Sequence, residues 1–208
     1  MMRRSIIGNI VSGAALFCSL STLLLAQSAP AGAPQAKDPA AVISLSHSLN
    51  ARLHPVPVSA VKFPDGFWGT REHAIVDRTL PSLRQQLEAT GGIDNFLRLA
   101  GKKNVPRKGR ISSDADVYKW IEAASWAIAS PDTPAATKQK LQADIDGLIS
   151  TIAPAQDSSG YLDTYFTGDR AHLRFTDLVH SHEDYCLARL LLSGIAYFRA
   201  TQTRTLLD

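Results

Sequence analysis

The stretch Ser113-Asp114-Ala115-Asp116-Val117-Tyr118-Lys119-Trp120-Ile121-Glu122-Ala123-Ala124 decides the fold class of this chain. Its apolar positions recur every three or four residues, which is the spacing of one face of an α-helix. That face consists of Val117, Trp120, Ile121, Ala124 and, one turn later, Ile128. The two aspartates at its start can cap the free amides of a first helical turn. The stretch therefore predicts an amphipathic helix whose apolar stripe, Trp120 included, lies in the core.

The same spacing recurs along the chain on both sides of this stretch. It predicts four more helices, over Arg71–Thr90 with a kink or restart at Pro81, over Asp94–Ala100, from Thr133-Pro134 to Ile152, and over Glu183–Ala200. The last of these is predicted to have an apolar stripe of Leu187, Leu190, Leu191, Gly194 and Phe198. A further helix is predicted to begin at Thr203 or Thr205. The alternating prolines of Leu53–Val58 predict an extended entry segment. The pattern indicates an all-α protein that is a bundle, a helical solenoid or an α/α toroid.

The N-terminus has the composition of an export signal. Two arginines precede an apolar run from Ile6 to Ala26, and Ala26-Gln27-Ser28 offers small residues where a signal peptidase cleaves. An uncleaved membrane anchor is the alternative, because the run is about long enough to span a bilayer. We expect a signal peptide over residues 1–28, a linker over 29–52, a folded part over 53–208, and a periplasmic or extracellular protein that is not membrane-bound after cleavage.

Charge and cysteine content exclude other classes of protein. Removing residues 1–28 takes away two of the 22 basic residues and none of the 19 acidic ones, which leaves a net charge of +1. Since nucleic-acid binding requires a basic face, we expect no nucleic-acid partner.

Cys18 leaves with the signal, so Cys186 alone cannot form an internal disulfide, and its position in an apolar helix predicts a packing role.

Polar residues are concentrated in His180-Ser181-His182-Glu183, just before the last predicted helix. The segment lacks the spacing of a zinc site, so we predict no metal ligands in it. His182 could bond a substrate hydroxyl, with Glu183 or Asp184 orienting it or capping the helix, or it could be an ordinary structural histidine.

Two other segments have equally open interpretations. The carboxylates of Asp114 and Asp116 could bind sugar hydroxyls, although capping their own helix is the simpler role. The loop Gly160-Tyr161-Leu162-Asp163-Thr164-Tyr165 could contact a ligand through its tyrosines, or it could be a packed turn.

Five motifs together resemble the N-terminal part of the catalytic domain of glycoside hydrolase family 127. They are Asp65–Trp68, Gly92–Phe96, Asp114–Ala124, Ser159–Thr164 and His182–Tyr185, spread over Val56 to Asp208 in the order of the family. The resemblance implies a partial (α/α)6 toroid, about half of the barrel, and a role in hydrolysing non-reducing-end β-L-arabinofuranosides or related plant-type sugars.

The resemblance also implies which residues would face the sugar. His182 matches the histidine that lines the sugar site, Asn95 falls near a position that faces it, and Asp116 matches a second motif aspartate that is structural or pocket-lining. The family's zinc-bound cysteine nucleophile and its glutamate acid/base lie beyond the end of this chain, so we expect an inactive fragment with a carbohydrate partner and no cofactor of its own. The family often has Gly-His where this chain has Ala188-Arg189, which bears on the choice of substrate.

Two rival functions remain open from the sequence. One is a non-catalytic helical module that binds a carbohydrate or a protein partner. The other is a different α/α-toroid enzyme, such as an epimerase or a polysaccharide lyase. Thermal stabilisation by uronates in place of arabinose would favour the latter.

Overall fold

The structure, a computed structural model, describes residues 43, 45 and 47–208. The predicted signal peptide and most of the predicted linker lie outside the described residues. The segment 51–57 contains neither helix nor strand, and Pro57 has φ −60° and ψ 143°, as expected of an extended entry segment.

All regular secondary structure in the described part of the chain is helical, and this part contains no β-strand. Its α-helices are α1 (Phe67–Ala74), α2 (Leu80–Ala89), α3 (Gly92–Leu99), α4 (Asp114–Ala129), α5 (Ala135–Ile152) and α6 (Glu183–Thr201). Short 3₁₀ segments occupy Val58–Ala60, Ala153–Ala155 and Gly168–Leu173. The all-α prediction is confirmed. None of the helices in these residues is long and apolar enough to cross a bilayer.

Where a kink or restart was predicted in the first long helix, the structure has a π-helical turn. This turn covers Ile75–Thr79 and joins α1 to α2. Pro81 lies in the first turn of α2, where its missing N–H leaves no bond unmade. The wider π-helical turn lies just before the proline, where the helix was predicted to kink or restart.

The core is organised around α4, which contacts α2, α3, α5 and α6. The predicted stripe from Val117 to Ile128 is buried, and α5 faces it with Leu141, Ile145, Leu148, Ile149 and Ile152. Trp120 lies in the core, as predicted. Its indole Nε1 donates to the carbonyl of Leu80 at 2.9 Å, and this bond satisfies the one polar atom of the buried ring.

Helices α4 and α6 run parallel. Near their starts Tyr185 lies beside Lys119, and one turn further along Arg189 pairs with Glu122 at 3.7 Å. The buried face of α6 includes Cys186, Ser193, Gly194 and Tyr197, with Leu190 partly buried against the core.

The predicted stripe of α6 was wrong in part, since Leu187 and Leu191 are 48% and 52% exposed. Helix α6 has apolar residues on all of its own sides, so the periodicity of the sequence could not show which side packs on α4. The helix predicted from Thr203 or Thr205 is also absent from the described residues. There the chain makes a single turn in which Leu207 N–H donates to Arg204 O at 2.7 Å.

Candidate carbohydrate-binding surface

His182 lies immediately before α6 with a left-handed backbone, φ 57° and ψ 18°. Residues other than glycine adopt this conformation at a cost of roughly 1–2 kcal/mol. The conformation turns the histidine outward while the next residue, Glu183, turns into the protein. The exposed imidazole stands edge-on to the ring of Tyr185, with 6.1 Å between centroids. Strained backbone of this kind recurs at binding sites, and here it presents an imidazole to solvent.

Asp116 belongs to the same exposed surface through Lys119 and Tyr185. The Lys119 ammonium bonds the Asp116 carboxylate at 3.0 Å and lies 5.5 Å from the Tyr185 ring, while the Arg189 guanidinium lies 5.4 Å from the same ring. Lys119 first, and Arg189 after it, lower the pKa of the Tyr185 phenol. The structure thus joins two of the three predicted site residues, which we call the His182–Asp116 surface (Asp116, Lys119, His182, Tyr185, Arg189).

Asn95, the third predicted residue, lies in the interior, only 1% exposed. Its Nδ2 donates to Lys108 O at 2.9 Å, and its Oδ1 accepts from Lys108 N–H at 2.9 Å. Both polar groups of the amide are therefore engaged in holding the α3–α4 connection, and Asn95 is buried whereas His182 and Asp116 are exposed.

Glu183 does not orient His182, contrary to one of the predicted roles. Its buried carboxylate accepts from the Tyr161 hydroxyl at 2.6 Å and from Phe175 N–H at 2.8 Å. The rings of Tyr161 and Phe175 meet edge-to-face, and the Arg174 guanidinium lies 3.8 Å from the Tyr161 ring centroid. The carboxylate thus ties two distant points of the α5–α6 connection to the start of α6. Asp184, by contrast, is exposed.

The Gly160–Tyr165 loop is a packed turn in this structure. Asp157 Oδ1 accepts from the backbone of Ser159 and Tyr161 and from the Ser159 hydroxyl, while Asp157 Oδ2 pairs with Arg174 at 2.8 Å. These hydrogen bonds, led by that of Ser159 and then Arg174, lower the pKa of Asp157 to about 2. Of the two interpretations of this loop, the geometry favours the structural one.

Asp114 has a role that the sequence did not reveal. Instead of capping α4, its buried carboxylate accepts from Thr164 N–H and from Thr164 Oγ1, both at 2.6 Å, with Arg107 at 3.8 Å. Burial is the largest influence on this carboxyl and raises its pKa to about 6. Burial also raises the pKa of neighbouring Asp163. The partners are fifty residues apart, so no local pattern could have paired them.

Cys186 is buried, as its position in an apolar helix predicted. Burial raises the pKa of its thiol to about 12, so the sulfur is protonated at neutral pH and suited to packing. Among residues 43, 45 and 47–208, no three His, Cys, Asp or Glu side chains come together as a metal site. The donor set for the zinc that the family implies is therefore not assembled by the described residues.

Comparison with known proteins agrees with the helical fold. Residues 60–208 match the model of the "Beta-L-arabinofuranosidase, GH127 catalytic domain" family. A non-reducing end β-L-arabinofuranosidase of Bifidobacterium longum subsp. longum is 28% identical in an alignment that covers 68% of this chain and 24% of that enzyme.

Two solved structures resemble the fold. One is a GH127 β-L-arabinofuranosidase from Geobacillus stearothermophilus T6, with TM-score 0.66 and 30% identity over 71% of this chain and 24% of that one. The other is a GH127 β-arabinofuranosidase, with TM-score 0.64 and 34% identity over 74% of this chain and 25% of that one. The fold and the matches define part of a glycoside hydrolase catalytic domain, a partial α/α toroid. The chain belongs to glycoside hydrolase family 127, and it spans about a quarter of the length of these relatives.

Proposed function

We propose that this chain forms one wall of the sugar-binding pocket of an exported hydrolase domain that acts on non-reducing-end β-L-arabinofuranosides. The observation that carries the proposal is the outward-turned, left-handed His182 beside Tyr185, on the surface that also holds Asp116. The names of the relatives indicate an arabinofuranoside as the substrate class.

The chemistry of the His182–Asp116 surface suits a small polyhydroxylated ligand. An imidazole can both donate to and accept from sugar hydroxyls, and a carboxylate accepts from them. The Tyr185 ring supplies a flat apolar face for the C–H side of the sugar, and Lys119 and Arg189 restrain that ring. Arg189 occupies the place where the family often has histidine, so it is the residue that we expect to modify substrate choice.

No residue of this chain is assigned to bond cleavage in this proposal. The Cys186 thiol is buried and protonated, and the Glu183 carboxylate is engaged by Tyr161 and Phe175. The nucleophile and the acid/base are assigned to other segments of the catalytic domain, as is any zinc that assists them. Asn95 is assigned to the α3–α4 connection.

The test is a titration of the full 208-residue chain with methyl β-L-arabinofuranoside, followed by NMR of the histidine and tyrosine side chains. We expect weak binding, with Kd on the order of millimolar, because one wall supplies few contacts. His182→Ala and Asp116→Asn should each weaken it several-fold, whereas His180→Ala should not. His180 is an exposed histidine two residues away that pairs with Asp177. Equal binding by all variants, or binding of a uronate in place of the arabinoside, would contradict the proposal.

Export forms a separate part of the proposal and rests on the basic and apolar pattern of residues 1–28. Expression in a Gram-negative host followed by mass spectrometry of the N-terminus should find a mature chain that begins near Ala29. An intact N-terminus in the membrane fraction would instead indicate an anchor.

A further inference from the structure

A small cavity lies where the π-helical turn after α1 meets the connection between α4 and α5. Its volume is about 200 Å³, and we call it the Glu72–Thr133 cavity. The residues that line it include Glu72, His73, Val76, Asp77, Asp132 and Thr133. Val76 and Asp77 belong to the π-helical turn itself, and single turns of this kind inside α-helices occur frequently at functional sites.

Two buried oxygen atoms of the lining residues have no hydrogen-bond partner among the residues that the structure describes. One is Oγ1 of Thr133, a side chain that is only 5% exposed. The other is Oε2 of Glu72, whose Oε1 accepts from the Ser130 hydroxyl at 2.5 Å. Buried polar atoms of native proteins are seldom left unpaired. These two oxygens therefore point to a ligand that carries hydrogen-bond donors.

The charge of the cavity favours a cationic ligand. Glu72, Asp77 and Asp132 are acidic, and within the described part of the chain none of them forms an ion pair with lysine, arginine or histidine. Asp132 accepts from Phe63 N–H at 2.9 Å, and this neutral donor leaves its charge uncompensated. The C-terminus of α4 and the N-terminus of α5 both adjoin the cavity, so their opposite partial charges offset each other.

We propose that the Glu72–Thr133 cavity binds the ammonium or guanidinium end of a small organic cation. Such a group presents several N–H donors at once, so it can reach Glu72 Oε2 and Thr133 Oγ1 while its charge offsets those of Asp77 and Asp132. Val76 supplies an apolar contact for the aliphatic part of the ligand. In residues 43, 45 and 47–208 no three acidic, histidine or cysteine side chains converge as a metal site, which favours the larger organic cation.

This site is distinct from the proposed sugar surface and does not depend on the proposed function. Helix α4 has 16 residues and is about 24 Å long. Asp116 lies in its first turn, whereas Asp132 follows its last residue. The two surfaces therefore lie at opposite ends of α4, and a sugar and a cation should bind without competing.

The first arm of the test is an NMR titration of the full 208-residue chain with propylguanidine and, separately, with propylamine. We expect at least one of them to shift the His73 ring and the Thr133 amide, with Kd on the order of millimolar. The affinity should fall as the salt concentration rises. Tetramethylammonium has the same charge but no N–H donor, so it should bind about tenfold or more weakly. Methyl β-L-arabinofuranoside should leave these signals unchanged.

The second arm uses variants of the lining residues. Glu72→Gln removes the charge and the unpaired acceptor, so it should weaken binding about tenfold. Thr133→Val and the exposed Asp77→Asn should each weaken it several-fold, and Asp77→Asn tests the proposal even where a substitution at a buried position impairs folding. Asp169→Asn, which removes an exposed acid of the Gly168–Leu173 segment, is the matched control and should bind as the wild type does.

Three results would overturn the proposal. The first is that neither propylguanidine nor propylamine moves the cavity signals. The second is equal affinity in Asp77→Asn, Glu72→Gln and Asp169→Asn. The third is equal binding of tetramethylammonium, because the site would then attract positive charge without using its unpaired oxygens.

Discussion

At the scale of single residues, the ionisation of Asp114 couples stability to pH. Its pKa is about 6 in the folded protein and about 3.9 in an unfolded chain, so the folded state holds the proton more tightly. This contribution to the free energy of unfolding is fully present below about pH 4 and is lost as pH rises through 6. Ionisation of this one carboxyl should cost on the order of 3 kcal/mol at pH 7.

We therefore expect the free energy of unfolding, measured in urea, to fall between about pH 4 and pH 6. Asp114→Asn should reduce the dependence of the free energy of unfolding on pH. A smaller dependence should remain because of Asp163, whose pKa is also raised. The exposed Asp116→Asn is the matched control and should keep the wild-type slope. Equal slopes in the two variants would show that Asp114 ionises freely in the folded protein. Asp157 does not interfere, because its lowered pKa acts only below about pH 4.

Also at this scale, Glu183 should stabilise the α5–α6 connection. Glu183→Ala leaves Phe175 N–H and the Tyr161 hydroxyl without their acceptor, and each lost bond to a buried charged group is worth about 1.5–3 kcal/mol. Limited proteolysis should then cleave residues 157–182 faster. Glu183→Gln keeps one acceptor oxygen and should cost less, and Asp184→Ala, at the exposed neighbouring position, should leave cleavage unchanged. Slow cleavage of Glu183→Ala would mean that the connection is held by its other contacts.

At the scale of helices, two glycines should respond oppositely to the same substitution. Gly147 lies on the exposed side of α5 with open space around its Cβ position, so Gly147→Ala should stabilise by about 0.5–1 kcal/mol. At Gly194 in α6 an added Cβ would lie 2.8 Å from Leu207 Cδ2 and 3.2 Å from the backbone oxygen of Leu206, so Gly194→Ala should displace the turn after Thr201 and destabilise. Thermal unfolding of both variants measures the sign. A stabilised Gly194→Ala would show that the turn yields freely.

The helices could be predicted from sequence because each carries its own signal. Apolar spacing located α4 and α5, Asp114 and Asp116 marked the start of α4, and Pro134 marked the start of α5. The contacts that define the site could not be predicted in this way. Thr164 donates to Asp114 although the two residues are fifty positions apart in the sequence. Which face of α6 is buried depends on the position of α4. His182 could be singled out from the polar segment before α6 and from a family motif, but its left-handed backbone has no signal in the residue type, because glycine is the residue that usually adopts that conformation.

At the scale of the whole molecule, the chain should fold without catalysing hydrolysis. Circular dichroism of the purified protein should show helix, and incubation with nitrophenyl β-L-arabinofuranoside should release no nitrophenol. The physical reason is that its buried thiol is protonated and its buried Glu183 is occupied by neutral donors. The Geobacillus relative under the same conditions is the positive control. Sustained turnover by this chain would place the catalytic groups within it.

The parallel arrangement of α4 and α6 also has an electrostatic consequence. Each helix has a macrodipole equivalent to about half a positive charge at its N-terminus, and here two N-termini lie on the same side of the molecule. The chain places Asp114 and Asp116 in the first turn of one helix and Glu183 and Asp184 in the first turn of the other. These four acids oppose the combined field of the backbone amides, so this side of the molecule should not attract anions.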